Sequence, residues 1–231
     1  MLLKELRVEV LEANLELVRR GLALYTFGNA SGIAREEGLV VIKPSGFPYE
    51  SMTPDSLVVV DLTGQVVEGS LRPSSDLPTH LILYEAFRDI GGVAHTHSRA
   101  ATAWAQARRP ISCYGTTHAD YFHGPIPITK ELTRAQIHSD YEINTGHAIV
   151  RGMREVNPLH RPGILVAGHA PFCWGRSASE AAHNAAVVEE IAAVALQTII
   201  ANPNARPISK ALHERHFFRK HGAGAYYGQG K

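Results

Sequence analysis

A disulfide framework and an excess of charge of one sign are both missing from this sequence of 231 residues. Only two cysteines occur, Cys113 and Cys173, which is too few to staple a chain of this size. The 23 basic and 22 acidic residues are interspersed, and they leave a formal net charge of +1 with no basic stripe. We therefore expect two packed thiols in a reducing compartment and no nucleic-acid partner.

Long hydrophobic runs and nucleotide-binding loops are also absent. The charges of Lys4, Glu5 and Arg7 interrupt the first leucines, so we expect no targeting segment there. No apolar run approaches membrane-spanning length, and neither Gly-x-Gly-x-x-Gly nor Gly-Lys-Ser/Thr occurs. We expect a cytoplasmic protein without a membrane partner, folded as one domain over residues 1–231.

Helical and extended patterns alternate along the chain. Apolar residues at helical spacing predict an opening helix that ends near Gly21, and Ser177 with Glu180 predicts a capping box before a long helix over 181–200. Further helices are expected over 78–87, 100–107 and 135–153, and strands over 40–43, 57–60, 66–67, 91–95, 111–114 and 164–168. We expect an α/β fold of the three-layer α/β/α type, with helices covering a central, largely antiparallel sheet.

Three of the 13 histidines form the most informative pattern. His95 and His97 are two residues apart on a predicted strand, where side chains at i and i+2 share one face. His169 follows a second apolar run, and we expect Pro171 to end that strand at an exposed edge. Three imidazoles at strand ends make a divalent metal site with a position left for water or substrate.

The alternative for any single histidine is a surface or helix-face position without a ligand role. We assign that role to the histidines that lack a partner at ligand spacing, which are His80, His123, His138, His147, His160 and His213.

Small polar pairs lie at element boundaries around the predicted metal strands. Gly28-Asn29, Ser45-Gly46 and Ser74-Ser75 could wrap an anion with free backbone N–H groups and hydroxyls, although each alone is also an ordinary turn or cap. Lys43 could add positive charge to such a pocket, whereas a lysine at a strand end is more often solvated. Together with the metal site, these residues predict a phosphate cradle.

Six motifs, in order along essentially the whole chain, resemble the sugar-phosphate epimerases of the class II aldolase and adducin family. They are Gly28-Asn29-Ala30-Ser31, Lys43-Pro44-Ser45-Gly46, Ser74-Ser75-Asp76, His95-Thr96-His97-Ser98, Gly115-Thr116-Thr117-His118-Ala119-Asp120, and the closing Lys220-His221-Gly222-Ala223 to Tyr226-Tyr227-Gly228. The resemblance implies the class II aldolase fold.

The resemblance also implies one divalent cation per subunit, held by His95, His97 and His169 with Asp76 on or near it. Imidazole with carboxylate favours zinc, with manganese or cobalt as alternatives. Fuculose-phosphate-type aldolases carry Glu as the proton-transferring base where this chain has Asp76. Because Asp is one methylene shorter, we expect a carboxylate beside the metal, the alternative being a simple N-cap of the next helix.

Further roles follow from the resemblance. It implies that an acid/base pair, Asp120 and Tyr227, comes from a neighbouring subunit of a homotetramer whose active sites lie at subunit interfaces. His118 and His216 match positions near that site. The implied phosphate contacts are Gly28, Asn29, Lys43, Ser45, Gly46, Ser74 and Ser75.

The implied reaction is epimerisation of a phosphorylated ketopentose by retro-aldol cleavage and re-addition, a step shared by arabinose, ascorbate and other pentose routes. Two alternatives use the same scaffold: an aldolase of the fuculose- or rhamnulose-phosphate type or a related dehydratase, and a non-catalytic module like the adducin head. Phe27 stands where relatives have Trp, and Ala170 where they have Gly, and neither change removes a functional atom.

Overall fold

The computed structural model describes residues 1–222 and 224–227, so Ala223 and Gly228 of the closing motif lie outside the described residues. Its helices are α1 Lys4–Arg19, α2 Leu77–Ala86, α3 Arg99–Gln106, α4 Thr116–Ala119, α5 Arg134–His138, α6 Tyr141–Gly152, α7 Ala178–Ala201 and α8 Lys210–Lys220. Its strands are β1 Asn29–Ala34, β2 Leu39–Ile42, β3 Val58–Asp61, β4 Val66–Glu68, β5 Gly92–His95, β6 Gly163–Leu165 and β7 Pro171–Gly175.

All seven described strands join one sheet in the order β4-β3-β2-β1-β5-β7-β6. Every neighbouring pair in this order is antiparallel, which confirms the expected sheet type. The central pair, β1 and β5, sets Asn29 opposite His95 and Ser31 opposite Val93. This register places the first residue of β1 beside the last residue of β5, at one end of the sheet.

Helices cover both faces of the sheet, as the three-layer expectation requires. Successive strand residues point to opposite faces, so Val41 packs into a core with α1, α3 and α7, whereas Val40 and Ile42 pack into a second core with α2 and α6. Asn29 and Ser31 share the face of Ile33, which belongs to the second core. The polar end of that face therefore lies beneath α2.

The long helix α7 contradicts the expectation that no apolar run approaches membrane-spanning length. Its 24 residues are long and apolar enough, by length and composition, to cross a membrane. It nevertheless packs against β5, β7 and α1, and alanines such as Ala181, Ala185 and Ala192 are buried there. Ser177 Oγ accepts from the Glu180 N–H at 3.1 Å, which confirms the Ser177 half of the predicted capping box, whereas the Glu180 carboxylate accepts from the Arg176 N–H and not from Ser177. The buried part of α7 thus contributes to the core between sheet and helices, whereas Val194, Leu196 and Ile200 are exposed.

Several predicted elements differ from the structure. The helix expected over 135–153 is two helices, α5 and α6, which break at Ser139, a residue with ψ of −123°. The strand expected over 111–114 is reduced to one bridge, between Ile111 and Ile126. Pro171 begins β7 and does not end a strand, because the first residue of a strand tolerates a missing N–H.

Candidate metal centre

Two imidazoles converge at the end of β5. His95 is the last residue of that strand, and His97 lies two residues further, before α3. Their Nε2 atoms are 3.2 Å apart. The Nδ1–H of His95 donates to the Pro171 carbonyl at 2.9 Å, and its ring stacks on Phe172 with the centroids 4.1 Å apart. A backbone carbonyl therefore fixes the His95 tautomer and leaves Nε2 free to bind a cation.

His169 reaches the same point from the turn between β6 and β7. Its N–H donates to the Val166 carbonyl at 3.0 Å, and Gly168 has a φ of +71°, which glycine adopts without steric cost. The Gly168 N–H also donates to the Ala105 carbonyl at 2.9 Å, tying the turn to α3. One ring nitrogen from each of His95, His97 and His169 lies within 4.8 Å of the other two.

This donor set fits a small divalent cation. A tetrahedral zinc ion with bonds of about 2.0–2.1 Å holds neighbouring nitrogens roughly 3.3 Å apart, close to the 3.2 Å between His95 and His97. Burial lowers the pKa of His97, and burial together with the neighbouring imidazoles lowers the pKa of His169 to about 4. Both rings are therefore neutral at physiological pH, the form that binds a metal ion.

Asp76 lies beside the histidines and does not cap α2. Its carboxylate makes no side-chain capping bond to that helix, although Asp76 is the residue at the N-cap position. Its Oδ2 accepts instead from Asn29 Nδ2 at 2.7 Å. Burial acts to raise the pKa of Asp76, but the charges of His95 and His80 and the Asn29 amide outweigh it, and the net pKa is lowered. The N-cap interpretation of Asp76 is therefore wrong.

The histidines and the predicted cradle line one cavity of about 380 Å³. Glycine at position 28 lets the chain pass close to the His95 backbone. Gly28 has a φ of +74°, and a Cβ there would lie 2.8 Å from the His95 carbonyl oxygen. The lining comprises Thr26, Phe27, Gly28, Asn29, Lys43, Pro44, Ser45, Gly46, Ser74, Ser75, Asp76, His95, His97, Tyr141 and His169. All seven predicted phosphate contacts and all four predicted metal-side residues are among them.

Two backbone N–H groups of the predicted cradle are hydrogen-bonded, although they were expected to be free. The Ser45 N–H donates to the Arg72 carbonyl at 2.9 Å, and the Ser74 N–H donates to the Lys43 carbonyl at 3.0 Å. These two N–H groups join one loop to the other and are not free for an anion. The hydroxyls of the cradle and the Lys43 ammonium can still hold a phosphate.

Lys43 is buried, so the solvated alternative is wrong. Its side chain is 1% exposed, and its Nζ lies 3.4 Å from the Thr26 carbonyl oxygen and 4.7 Å from the Tyr49 ring centroid. The described residues place no carboxylate within ion-pair distance of it. Burial lowers the pKa of Lys43 to about 8. A buried cation with no counter-ion favours an anionic ligand in this cavity.

The predicted acid/base pair lies elsewhere in the chain. Asp120 accepts from Arg219 at 2.6 and 2.9 Å and from His216 at 3.1 Å, with Lys220 Nζ at 3.8 Å. The Tyr227 ring lies 4.6 Å from both the Arg219 and the Lys220 cations. None of these residues lines the cavity of the same chain.

His118, the third residue of α4, packs close to this cluster. Its Nε2–H donates to the Gly124 carbonyl at 2.9 Å, and burial, reinforced by the nearby His213, lowers its pKa to about 4. His118 therefore binds the backbone at Gly124, and it does not line the cavity.

Sequence reasoning missed two groups near the centre. Tyr141, at the first position of α6, has its hydroxyl 3.4 Å from His169 Nδ1. His80, predicted to be a surface or helix-face residue, is on the inner face of α2 and fully buried, with Nδ1 2.7 Å from Ser31 Oγ. The spacing of Asp76, His80 and Tyr84 at i, i+4 and i+8 was the signal for the buried polar face of α2.

The fold and the three converging histidines invite comparison with one class of known proteins. A profile of the Class II Aldolase and Adducin N-terminal domain matches residues 8–196, and the chain therefore belongs to the class II aldolase and adducin family. Among solved structures, an L-fuculose 1-phosphate aldolase aligns over 93% of this chain and 95% of its own, with 25% identity and a TM-score of 0.79. The L-fuculose-1-phosphate aldolase from Thermus thermophilus, 22% identical, shares the fold over 88% of this chain and 98% of its own, with a TM-score of 0.68.

Curated relatives are considerably more similar in sequence. The chain is 53% identical over 227 residues to L-ribulose-5-phosphate 4-epimerase UlaF of Salmonella paratyphi A (strain ATCC 9150 / SARB42), covering 98% of this chain and 100% of the relative. The protein of the same name from Salmonella typhi matches to the same extent. The resemblance inferred from the motifs is thus confirmed at the level of family and of relatives.

Proposed function

We propose that the protein is a metal-dependent L-ribulose-5-phosphate 4-epimerase, which interconverts L-ribulose 5-phosphate and D-xylulose 5-phosphate. The observation that carries the proposal is the single cavity in which three converging histidines adjoin a buried, unpaired lysine. Such a cavity suits a substrate with a phosphate at one end and oxygens for a metal at the other. Full-length relatives of that name, 53% identical, supply the substrate class.

The residues of the cradle bind and orient the substrate. Lys43 offers a desolvated positive charge to the phosphate, and the hydroxyls of Ser45, Ser74 and Ser75 complete its contacts. Gly28 and Gly46 let the backbone approach the ligand closely. Binding the phosphate in this way leaves the other end of the sugar at the histidines.

His95, His97 and His169 hold one divalent cation per subunit, with Asp76 beside it, and zinc suits this donor set best. When bound, the cation acts as a Lewis acid on substrate oxygens. The Asn29 amide orients the Asp76 carboxylate, which is thereby kept ionised next to the imidazoles. A carboxylate that is held in this way is poorly placed to move protons at a substrate carbon, which favours the epimerase over the aldolase alternative.

Asp120 and Tyr227 are the proposed acid and base at the carbon-4 hydroxyl. One removes the hydroxyl proton as the carbon–carbon bond breaks, and the other donates a proton on the opposite face after the aldehyde has turned and added back. Since neither lines the cavity of its own chain, we assign them to the cavity of a neighbouring subunit in a homotetramer. The free, buried thiols Cys113 and Cys173 accord with the expected cytoplasmic location.

Product analysis tests the proposal against the aldolase. Purified protein is incubated with L-ribulose 5-phosphate and the mixture is followed by NMR. The epimerase yields D-xylulose 5-phosphate with no net loss of ketose. An aldolase that accepts this substrate would accumulate dihydroxyacetone and glycolaldehyde phosphate, and one of the fuculose-phosphate type would cleave L-fuculose 1-phosphate in a parallel sample; either result would overturn the assignment. A non-catalytic module would leave the substrate unchanged.

A further inference from the structure

The three histidines of the metal centre are supported unequally. The Pro171 carbonyl fixes the ring of His95. His169 sits on a turn whose backbone is fixed, but the one described polar side chain within hydrogen-bond distance of its ring is Tyr141, with Oη 3.4 Å from Nδ1. The two rings are tilted by 45° with their centroids 6.2 Å apart. The contact is therefore made by the hydroxyl edge of the tyrosine, and the rings do not stack.

The start of α6 is held firmly where Tyr141 begins it. Thr79 on α2 is buried and donates its hydroxyl to the Glu142 carbonyl at 2.7 Å. One turn further, a Cβ on Gly146 would lie 2.9–3.0 Å from three atoms of Ile82, so glycine lets α6 lie directly on α2. Because Asp76 is the N-cap residue of α2, the same helix pair carries a carboxylate and a phenol to the cavity that the histidines line.

We infer that Tyr141 is a positioning residue for the metal ligand His169. The phenolic oxygen accepts from the Nδ1–H of His169, which fixes the ring tautomer and turns Nε2 toward His95 and His97. The phenolic hydrogen then remains available to an acceptor in the cavity. This inference rests on the metal centre of the proposed function, and it is independent of which reaction that centre catalyses.

The position of the ring makes Tyr141→Phe an informative change. Tyr141 lines both the 380 Å³ cavity and a neighbouring cavity of about 300 Å³, so its ring forms part of the wall between them. Phenylalanine keeps this wall and the packing of α6, and it removes only the oxygen that faces His169. Tyr25→Phe is the matched control, since Tyr25 is 84% exposed and lines neither cavity.

The experiment measures metal binding without substrate. Metal-free protein is titrated with Co²⁺ in competition with a chelator, and the visible absorption of the bound ion is recorded. We expect Tyr141→Phe to weaken Co²⁺ binding about 10- to 100-fold, the usual effect of losing a partner of a metal-bound histidine, and to alter the cobalt spectrum. Tyr25→Phe leaves both unchanged. Affinity within twofold of the parent and an identical spectrum for Tyr141→Phe would overturn the inference.

A second measurement needs no variant. In the zinc-loaded parent protein, long-range ¹H–¹⁵N spectra of the imidazoles report which nitrogen of His169 carries hydrogen. We expect hydrogen on Nδ1 and zinc on Nε2, and the reverse assignment would refute the role of Tyr141. A protein that binds Co²⁺ as expected but converts no L-ribulose 5-phosphate would contradict the proposed function and leave this inference standing.

Discussion

Two polar regions of the molecule, the cavity at the end of β1 and β5 and the ion cluster around Asp120, satisfy their charged groups in opposite ways. In the cavity, Lys43 has no carboxylate partner among the residues that the structure describes, and the buried Asn29 Oδ1 accepts no hydrogen bond from them. In the cluster, Arg219, His216 and Lys220 surround one carboxylate.

In the proposed reaction, this difference assigns ligand binding to the cavity and proton transfer to the cluster. The cavity holds residues suited to an anion and residues suited to a cation, and one chain supplies both sets. The Asp120 carboxylate of the cluster is already paired with basic side chains of its own chain, and the cluster lies outside the cavity of that chain. The proposed homotetramer would account for both regions by bringing the cluster of one chain to the cavity of the next.

Loss of a metal ligand should have the largest effect. His97→Ala leaves two histidines, which bind a divalent cation more weakly and in a different geometry, so both bound metal and turnover should fall to background. Elemental analysis and the epimerase assay measure this. His138→Ala is the control, because His138 is exposed on α5. Full metal content in His97→Ala would remove that residue from the ligand set.

Substitutions in the cluster around Asp120 should lower turnover without changing the metal content. Asp120→Asn and Tyr227→Phe are each expected to lower kcat by about 10²- to 10⁴-fold, roughly 3–5 kcal/mol of barrier, with metal content unchanged. Tyr226→Phe is the matched control, since Tyr226 is the exposed neighbour that packs over Arg215. Near-normal rates in both cluster variants would exclude the pair from the reaction.

Loss of the Lys43 charge should limit kcat/KM at basic pH. Its ammonium is charged below a pKa of about 8, so kcat/KM should fall as pH rises through 8 and the charge is lost. Lys43→Met should lower kcat/KM about 10- to 100-fold at pH 7, the scale of a charge-assisted contact to phosphate, and should be flat with pH in this range. An unchanged decline above pH 8 in Lys43→Met would assign that decline to another group.

The smallest effect on turnover is expected at His118, where the effect is instead on stability. Burial lowers the pKa of His118 from its ordinary 6.5 to about 4. The unfolded chain therefore takes up a proton that the folded chain resists, so stability is complete above pH 6.5 and falls as pH drops toward 4, by about 3 kcal/mol in total. His118→Gln keeps a donor for the Gly124 carbonyl but does not titrate. Urea unfolding of the variant should show less loss between pH 7 and 5 than the parent, and equal losses would argue against this cause.

The sequence predicted the cavity better than it predicted its surroundings. Histidines two residues apart on a strand, and glycine and serine pairs at turns, are local signals, and the structure brings these residues to one place. The burial of Lys43 and the Asn29 contact to Asp76 depend on pairing between distant segments. Local pattern cannot specify such contacts, and it left the solvated lysine and the N-cap aspartate open as alternatives.

Elements with weak periodicity were the ones missed. No helix was expected over 210–220, although Ser209 caps α8 by accepting from the Leu212 N–H at 3.3 Å. The buried residue of α8 is Phe217, and its ring packs against histidines such as His160. Histidines do not contribute to a hydrophobic pattern, so the pattern did not predict this helix. The start of α6 at Tyr141 was hidden for the same reason, because its first turn is polar and its role is set by contact with His169.

If three histidines hold a cation on which the epimerisation depends, conversion must follow the amount of bound metal. Chelator-stripped protein is assayed on L-ribulose 5-phosphate, then again after adding one equivalent of Zn²⁺ per chain, with bound metal counted in each sample. We predict no conversion to D-xylulose 5-phosphate without metal and recovery with it. Undiminished conversion by protein that contains no metal would show that the reaction does not depend on a bound cation.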